Sequence, residues 1–384
     1  MKIVVSSPTR FHLYSLAREL ANMGEDVTVF TVYPRSKLDV ELRRQAECAP
    51  WLAPLTWLAG FAAGSRFQVP LEWELVERFD RWAANRLDAA DVVVALSGRG
   101  LRTLRAAHGR RSLAVCDRGS AHVEFQDQIL AEEHARWGVP YRHLDPRGIS
   151  KELAEYAEAD LITVPSTFAG RTFLDHGTSS SRVAVVPYGV DLSRFTPASD
   201  SRTGENFRVF FAGRVSLRKG FPYLLEAAKT MARLPGFSLV VAGSHSPEVE
   251  GLLAGTDRWV RYVGHVDPKR LAEFHRRASV FVMPSIEEGM PVVLLQAMAS
   301  GVPVIATPNS GAEDLITDGT EGFIVPPRSA QAISERLTLL YGDPALRATM
   351  GQAARARVEN FGGWSAYARR ALDVYKRGRR PKEG

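Results

Sequence analysis

The sequence predicts an α/β protein built from two doubly wound, Rossmann-like domains that face an interdomain cleft. The first observation is length, because 384 residues favour two domains of about 150–200 residues over one hydrophobic core. The second is an alternation of short apolar runs with helical patterns, which is typical of parallel sheets covered on both faces. The third is the polar stretch LSRFTPASDSRTGEN at 192–206, whose Pro, Gly and Ser residues indicate a linker.

The first half of the chain begins with a βαβ unit and continues the alternation. KIVVSSP at 2–8 and DVTVFTV at 26–32 predict strands, and residues 10–23 between them carry a helical pattern. Further strands are predicted at 91–97, 112–120, 160–166 and 182–191. Residues 35–90 are less regular and rich in Trp, Ala, Leu and Arg, and we expect them to be mainly helical.

The second half repeats the architecture without a detectable sequence repeat. Its strands are predicted at 207–214, 237–243, 259–266, 280–285, 302–307 and 322–327, and its last three helices at about 329–341, 344–360 and 364–379. The carboxyl ends of parallel strands in both halves then border one cleft, where open α/β folds bind ligands.

Composition is that of a soluble globular protein with a mildly basic balance. A net charge of +6 favours anionic ligands or membrane surfaces without deciding between them. Cys48 and Cys116 match no metal or redox spacing, and no leader precedes the first strand, so a reducing cytoplasm is expected. The apolar stretch at 51–64 is interrupted by Pro54 and is shorter than the ~20 residues that span a bilayer, which favours a buried helix pair over an interfacial element.

The stretch VFVMPSIEEGMPVVLLQAMASGVPVIAT at 280–307 predicts a strand, an acidic turn, a helix and a second strand. We place Pro291 at the first helical position, which leaves the amides of Val292 and Val293 free to bind an anion. Glu287 and Glu288 precede this helix. From the residues alone, each either caps the helix dipole or belongs to a ligand site. The cationic loop at 214–219 favours the ligand site for Glu288, and Glu287 is expected to cap the helix.

A second loop supplies positive charge. Arg214 and Lys219 lie between Gly213 and Gly220, just before a predicted helix. Cations at a helix start oppose its dipole unless an anion is present, which favours a phosphate over a merely solvated basic loop. No G-x-x-x-x-G-K-[ST] or G-x-G-x-x-G motif is present, so a P-loop NTPase and an ordinary dinucleotide dehydrogenase are not supported.

Three motifs together resemble the family-4 retaining glycosyltransferases of the GT-B fold: AGRVSLRKG at 212–220, PYGVDLSRF at 187–195 and PSIEEGMPVVLLQAMASGVPVIAT at 284–307. The resemblance covers nearly all of 150–345, whereas the first 150 residues match in architecture only. It implies sugar transfer from a nucleotide-diphosphate-sugar donor with retained anomeric configuration and no bound metal. It further implies an acceptor domain at 1–191, a donor domain at 192–362 and a last helix, within 364–384, that packs back on the first domain.

The resemblance assigns roles to individual residues. Arg214 and Lys219 would hold the donor diphosphate, Glu288 would face the donor sugar, and His122 would contact that sugar from the first domain. The remaining donor contacts that it implies are Gly213, Gly264, Val266, Met290, Val292, Val293 and Gln296. Asp117 and Arg118 lie in the same loop as His122 and could shape the acceptor site.

The sequence departs from the family pattern at three places. Gln296 replaces a Glu that would bind the ribose hydroxyls, so we expect weaker donor binding from the loss of a charge-assisted hydrogen bond. Tyr188 replaces an Asn and is interpreted as structural. SSPTRFH at 6–12 replaces a glycine pair, which puts phosphate contact from that loop in doubt, although Thr9 and Arg10 could supply another contact.

Two alternatives remain at this point. A non-hydrolysing nucleotide-sugar epimerase shares the architecture, and Gln296 leaves open a catalytically silent relative that acts as a binding partner. The acceptor is a glycan, a lipid-linked compound or a small molecule, and nucleic acid is not expected as a partner. Peripheral contact with the inner face of the membrane is compatible with a cytoplasmic location.

Overall fold

A computed structural model of the chain describes residues 1–55, 58, 68–141, 144–198, 206–253, 255–256 and 258–379. It contains two parallel sheets with helices on both faces, which confirms the predicted fold class. Most of the apolar stretch at 51–64 and much of the linker at 192–206 lie outside the described residues. None of the described helices is long and apolar enough to cross a membrane.

The first sheet has the strand order β3-β2-β1-β4-β5-β6-β7, and its pairings are parallel. Its strands are β1 Lys2–Ser6, β2 Asp26–Thr31, β3 Ala46–Cys48, β4 Val92–Leu96, β5 Leu113–Asp117, β6 Leu161–Val164 and β7 Val183–Val185. Its helices are α1 His12–Asn22, α2 Gln68–Arg86, α3 Leu101–Gly109, α4 Val123–Arg136, α5 Pro146–Glu158 and α6 Thr167–Asp175. The strand order reverses between β1 and β4.

The second sheet has the order β10-β9-β8-β11-β12-β13 and is also parallel. Its strands are β8 Phe207–Ala212, β9 Phe237–Ala242, β10 Val260–Gly264, β11 Val280–Met283, β12 Val304–Ala306 and β13 Gly322–Ile324. Its helices are α7 Phe221–Met231, α8 Pro268–Arg276, α9 Val292–Ala299, α10 Ala330–Gly342 and α11 Pro344–Phe361. The order reverses between β8 and β11, so the loops after these two strands leave the sheet side by side.

The last helix, α12 at Trp364–Gly378, packs against α1 of the first sheet. Its Tyr367 and Tyr375 are buried, and Arg370 donates a hydrogen bond to the carbonyl of Pro187. The approach is close because a Cβ built on Gly189 would lie 2.4 Å from the backbone of Gly363. The chain therefore crosses back to its first half, while the boundaries at 191 and 362 remain predictions.

The structure corrects local predictions at three points. The segment 35–90 contains strand β3, which at three residues is too short to show a period-2 pattern. The predicted strand at 182–191 ends at Val185, and the segment after it lies along the last helix. Pro291 is the N-cap of α9 and not its first helical residue, because its backbone is extended (φ −71°, ψ 116°).

Candidate active site

Two loops meet at the point where the second sheet reverses its strand order. Gly220 permits this contact, since it adopts φ +64° and a Cβ built on it would lie 1.8 Å from the carbonyl oxygen of Pro284. Gly213, at φ +143°, lies close to the Lys219 side chain. The loop after β8 and the loop after β11 therefore share one surface at the carboxyl edge of the sheet.

This contact brings Lys219 to the second residue of the acidic pair. Lys219 Nζ lies 2.6 Å from Glu288 Oε1, and the Arg218 guanidinium lies 3.4 Å from the same oxygen. The Glu288 amide donates to the carbonyl of Asn309 at 2.9 Å, which fixes the turn. Two predicted site residues that are 69 positions apart, Lys219 and Glu288, thus form one pair at the cleft.

The other predicted donor contacts lie at the same carboxyl edge of the second sheet. Arg214 donates from Nε to Ser246 Oγ at 2.6 Å, which directs it toward the loop after β9. Val292 and Val293 are half-buried at the start of α9. The remaining predicted positions lie on the same face: Gly264 at the end of β10 with φ +67°, Val266 after it, and Met290, which is buried before α9.

Gln296 lies on α9 and is half-buried. Among the described residues its Oε1 atom is buried without a hydrogen-bond partner. Buried polar atoms are nearly always paired, and this acceptor is available to a hydrogen-bond donor of a ligand. A ribose hydroxyl has the required chemistry.

Glu287 does not cap α9, which corrects the expectation that it satisfies the helix dipole. Its carboxylate is fully buried and accepts hydrogen bonds from Ser120 Oγ (2.6 Å), the Ala121 amide (3.1 Å) and Gln126 Nε2 (2.8 Å) of the first half. Arg218 Nε donates to it at 2.9 Å. Burial raises the pKa of Glu287, but the Arg218 charge and these hydrogen bonds lower it more, so the pKa lies below its usual range.

The two halves are in close contact around Glu287. A Cβ built on Gly289 would lie 2.2 Å from the carbonyl oxygen of Gly119, and Ser166 Oγ donates to the Gly289 carbonyl at 2.6 Å. Asp314 accepts from the Thr167 amide at 2.6 Å. Sequence reasoning missed this interface, because its partners are more than 120 positions apart and carry no shared motif.

His122 is buried among side chains of the first half. It is the N-cap of α4, it is buried, and its ring stacks on His176 at 4.3 Å and contacts Tyr156 and Phe173. Burial, with smaller effects from His176 and Arg118, lowers its pKa to about 4, so the ring is neutral near pH 7. Its contacts to described residues are with the first half, and a contact with the donor sugar remains a prediction.

His122 also belongs to a group of potential metal ligands. One ligand atom each of His122, Glu124 and His176 lie within 4.8 Å of one another, a grouping that sequence spacing does not reveal. The two rings are nearly parallel, at 21°, so their in-plane lone pairs do not converge on one point, and Arg118 is nearby. This geometry does not favour a resident metal ion.

A buried His–Asp pair lies where the first sheet reverses its strand order. His12 Nε2 and Asp117 Oδ1 are 2.5 Å apart, and Thr163 Oγ1 donates to the other carboxylate oxygen at 2.8 Å. The His12 ring stacks on Tyr188 at 4.4 Å. Burial, together with the charges of Asp117 and Glu288, raises the pKa of Tyr188. The strand-end positions of His12 and Asp117 were the only sequence signal for this pair.

A cavity of about 910 Å³ opens beside these groups, between the first half and the loop after β9. Its polar wall includes Arg99 after β4, Arg118 after β5 and Glu152 on α5. Arg118 is held in place by Glu152 Oε2 at 2.5 Å and by the side-chain oxygen of Gln126 at 2.8 Å. Its apolar wall includes Trp73, Val76, Val123, Val139, Pro140, Leu144 and Ile149, and Pro247 and Glu248 close it from the second half.

Two family models match consecutive parts of the chain. Residues 195–357 match the family model described as glycosyl transferases group 1, and residues 10–194 match glycosyltransferase family 4. The chain is 36% identical over 307 residues to a D-inositol 3-phosphate glycosyltransferase of Arthrobacter sp. (strain FB24), which covers 71% of this chain and 72% of that protein.

A second relative and one solved structure extend the comparison. A GDP-mannose-dependent monoacylated α-(1-6)-phosphatidylinositol monomannoside mannosyltransferase of Corynebacterium glutamicum is 30% identical over 280 residues, covering 67% of this chain and 72% of that protein. The structure of a sucrose-phosphate synthase from Thermosynechococcus elongatus superposes with a TM-score of 0.72 at 22% identity and covers 98% of both chains, which shows a shared fold.

Proposed function

Because the chain is a glycosyltransferase that belongs to family 4, group 1, we propose that it transfers a sugar from a nucleotide-diphosphate-sugar donor to a hydroxyl acceptor with retained anomeric configuration. The observation that carries this proposal is the meeting of Lys219 and Glu288 at the carboxyl ends of β8 and β11. A cation near helix-start amides suits a diphosphate, and a carboxylate beside it suits the hydroxyls of a sugar.

Residues near this pair could stabilise the negative charge that develops during sugar transfer. Cleavage of the bond between the sugar and the diphosphate leaves negative charge on the phosphate oxygens. Lys219, Arg214 and the amides of Val292 and Val293 would stabilise that charge, and in this proposal they take the place of a divalent metal. Glu288 would release Lys219 to the diphosphate and accept hydroxyls of the donor sugar instead.

We assign the acceptor to the cavity beside Arg99 and Arg118. Relatives of this chain are named for acting on inositol 3-phosphate and on a phosphatidylinositol mannoside, so a polyol or glycolipid head group is the acceptor class that we favour. Trp73 and Tyr141 offer aromatic surface for a ring, and Glu152 is a hydrogen-bond acceptor for hydroxyls. A head group attached to a lipid would bring the enzyme to a membrane surface, while free Cys48 and Cys116 fit a cytoplasmic location.

Gln296 supports one second candidate, a catalytically silent relative that binds nucleotide-sugars without turnover. The amide lacks the charge of a carboxylate, so its hydrogen bond to a ribose hydroxyl is weaker than a charge-assisted one. The unpaired Oε1 atom still offers an acceptor, so we expect binding in either case.

A two-stage experiment tests the function. The purified chain is first screened by thermal shift against UDP-, GDP-, ADP- and TDP-sugars, since a ligand selective for the native state raises the melting temperature. The donor that raises it most is then incubated with myo-inositol, D-inositol 3-phosphate and a phosphatidylinositol mannoside, and products are identified by mass spectrometry and their anomeric configuration by NMR.

Each result has a distinct meaning. A glycoside with retained configuration supports the proposal, and an inverted one contradicts the retaining assignment. Binding without any product favours the silent relative. A new nucleotide-sugar formed without an acceptor would indicate an epimerase, and absence of a shift with all four classes of donor would contradict a donor site here.

A further inference from the structure

Two buried carboxylates join the halves of the molecule across the cleft. Glu287 extends from the second half and is bound by the loop before α4 and by Gln126 on that helix. Glu133 extends from α4 and accepts hydrogen bonds from Tyr223 (2.7 Å) and Arg328 (2.7 Å) of the second half. Both carboxylates are fully buried, so α4 is attached to the second half at each of its ends.

The two attachments differ in what lies next to them. Glu133 is bound by Arg328, whose side chain is 24% exposed and whose other ion pair is with Glu132 on the same helix. Glu287 is bound by Arg218, whose side chain is 36% exposed and whose other ion pair, at 3.4 Å, is with Glu288. The arginine bound to Glu133 therefore also pairs with a carboxylate on the same helix. The arginine bound to Glu287 also pairs with Glu288, which is the partner of Lys219.

Arg218 connects the interface to the site. Its Nε donates to the Glu287 carboxylate and its Nη2 donates to Ser120 Oγ at 3.0 Å, so the guanidinium is held between the two halves. It is the residue immediately before Lys219. In this closed arrangement Arg218 is held by Glu287, and the shortest ion pair of Glu288 is with Lys219.

We propose that Glu287 is a positioning residue that couples closure of the cleft to the arrangement of Lys219 and Glu288. This inference rests on the proposed function of that pair in binding the donor. Without the Glu287 charge, Arg218 has Glu288 as its remaining carboxylate partner among the described residues, and Glu288 then turns from Lys219 and from the donor sugar. The Glu287 charge thereby links closure of the cleft to the arrangement of the donor-binding residues, as when domain closure assembles an active site.

The test compares Glu287→Gln with Glu133→Gln. Both variants replace a fully buried interdomain carboxylate by an isosteric amide and leave a partly exposed arginine without its partner, so both should lower the melting temperature. Only Glu287→Gln should lower kcat, by at least tenfold at saturating donor and acceptor, with the Kd for the nucleoside diphosphate changed less than threefold. Glu133→Gln should retain kcat within threefold.

A rescue variant separates position from general stability. In Glu287→Gln/Ser120→Asp a carboxylate is offered to Arg218 from the other half, next to the atom that Ser120 Oγ occupies. We expect it to recover at least threefold of the lost kcat. Hydrogen exchange, which needs no turnover, should show faster exchange at 118–126 and 284–291 in Glu287→Gln and not in Glu133→Gln.

The outcomes are separable. Equal kinetic effects of the two variants, or unchanged exchange at 118–126 in Glu287→Gln, overturn the proposal. If Glu287→Gln does not fold, Arg218→Gln replaces it in the exchange comparison, where unchanged exchange at 118–126 overturns the proposal. If the unmodified chain transfers no sugar, the proposed function fails, and the exchange comparison still decides whether Glu287 holds the cleft closed.

Discussion

The two sheets reverse their strand order at equivalent places, but the loops that leave those places carry different chemistry. After β8, Gly213 and Gly220 open the backbone, and Lys219 and Glu288 remain 16% and 13% exposed at the cleft. After β1, the loop leads to His12, whose side chain is 1% exposed and is paired with Asp117. A doubly wound sheet therefore offers a ligand site at its switch point only where the loop leaves room for one.

The first half fills its switch point with its own side chains and contributes a closing surface. Arg10, which the sequence offers for another contact from this loop, lies over the Tyr33 ring at 5.4 Å. The loop after β5 supplies Gly119 and Ser120 to the second half. We therefore expect substitutions in the second-half loops to change ligand binding and substitutions at the first-half switch point to change stability.

The largest effect is expected for Gly220→Ala. The added Cβ would collide with the Pro284 carbonyl and would also occupy a left-handed conformation, which together should lower the free energy of unfolding by about 4 kcal/mol. Gly24→Ala is the matched control, since Gly24 has φ +86° with no heavy atom near the added Cβ, and it should lose only about 1 kcal/mol. Urea unfolding measures both. Similar losses in the two variants would show that the contact between the site loops is not tight.

Asp117→Ala tests the first-half switch point. It leaves His12 and Thr163 without their buried partner and should lower the free energy of unfolding by about 3 kcal/mol, with donor Kd unchanged within threefold. Asp88→Ala, at an exposed position, is the control and should be neutral within about 0.5 kcal/mol. Loss of donor affinity at unchanged stability would mean that the first half also binds the donor.

Lys219→Ala tests the second-half switch point. Removal of the charge should weaken donor binding or turnover at least tenfold, which corresponds to about 1.4 kcal/mol, while the melting temperature changes little because the side chain is partly exposed. Lys229→Ala, an exposed lysine on α7, controls for net charge. Arg214→Ala should have an effect of the same order as Lys219→Ala. Unchanged donor titrations for both site variants would contradict the diphosphate assignment.

The smallest effect is expected for Gln296→Glu. A carboxylate should strengthen the hydrogen bond to a ribose hydroxyl and improve donor affinity about threefold, or roughly 0.6 kcal/mol. Isothermal titration with the donor identified by thermal shift measures the change, and Gln296→Leu, which removes the polar group, should weaken binding. Abolished binding in Gln296→Glu would show that this position has a different role.

Much of the site follows from local sequence. The apolar run 280–283 defines β11, and Pro291 at the N-cap marks the start of α9. The glycines at 213 and 220 mark a loop with unusual backbone angles. Each of these features depends on neighbours within a few residues. For that reason the Lys219 and Glu288 loops were correctly predicted at strand ends, although only the pairing of β8 with β11 brings them within 2.6 Å.

The sequence by itself determined the two parallel sheets, because periodicity and turn chemistry are local properties. Its resemblance to a known family supplied, as expectations, the return of the last helix and the residues proposed to bind the donor. Only the tertiary structure decided which partners surround Glu287 and His122. Glu287 has the local context of a helix cap, yet three of its four donors come from the first half of the chain; His122 has a strand-end position, yet it is buried against His176. A buried polar side chain is stabilised by the partners that the fold brings to it, and those partners are set by topology across the whole chain.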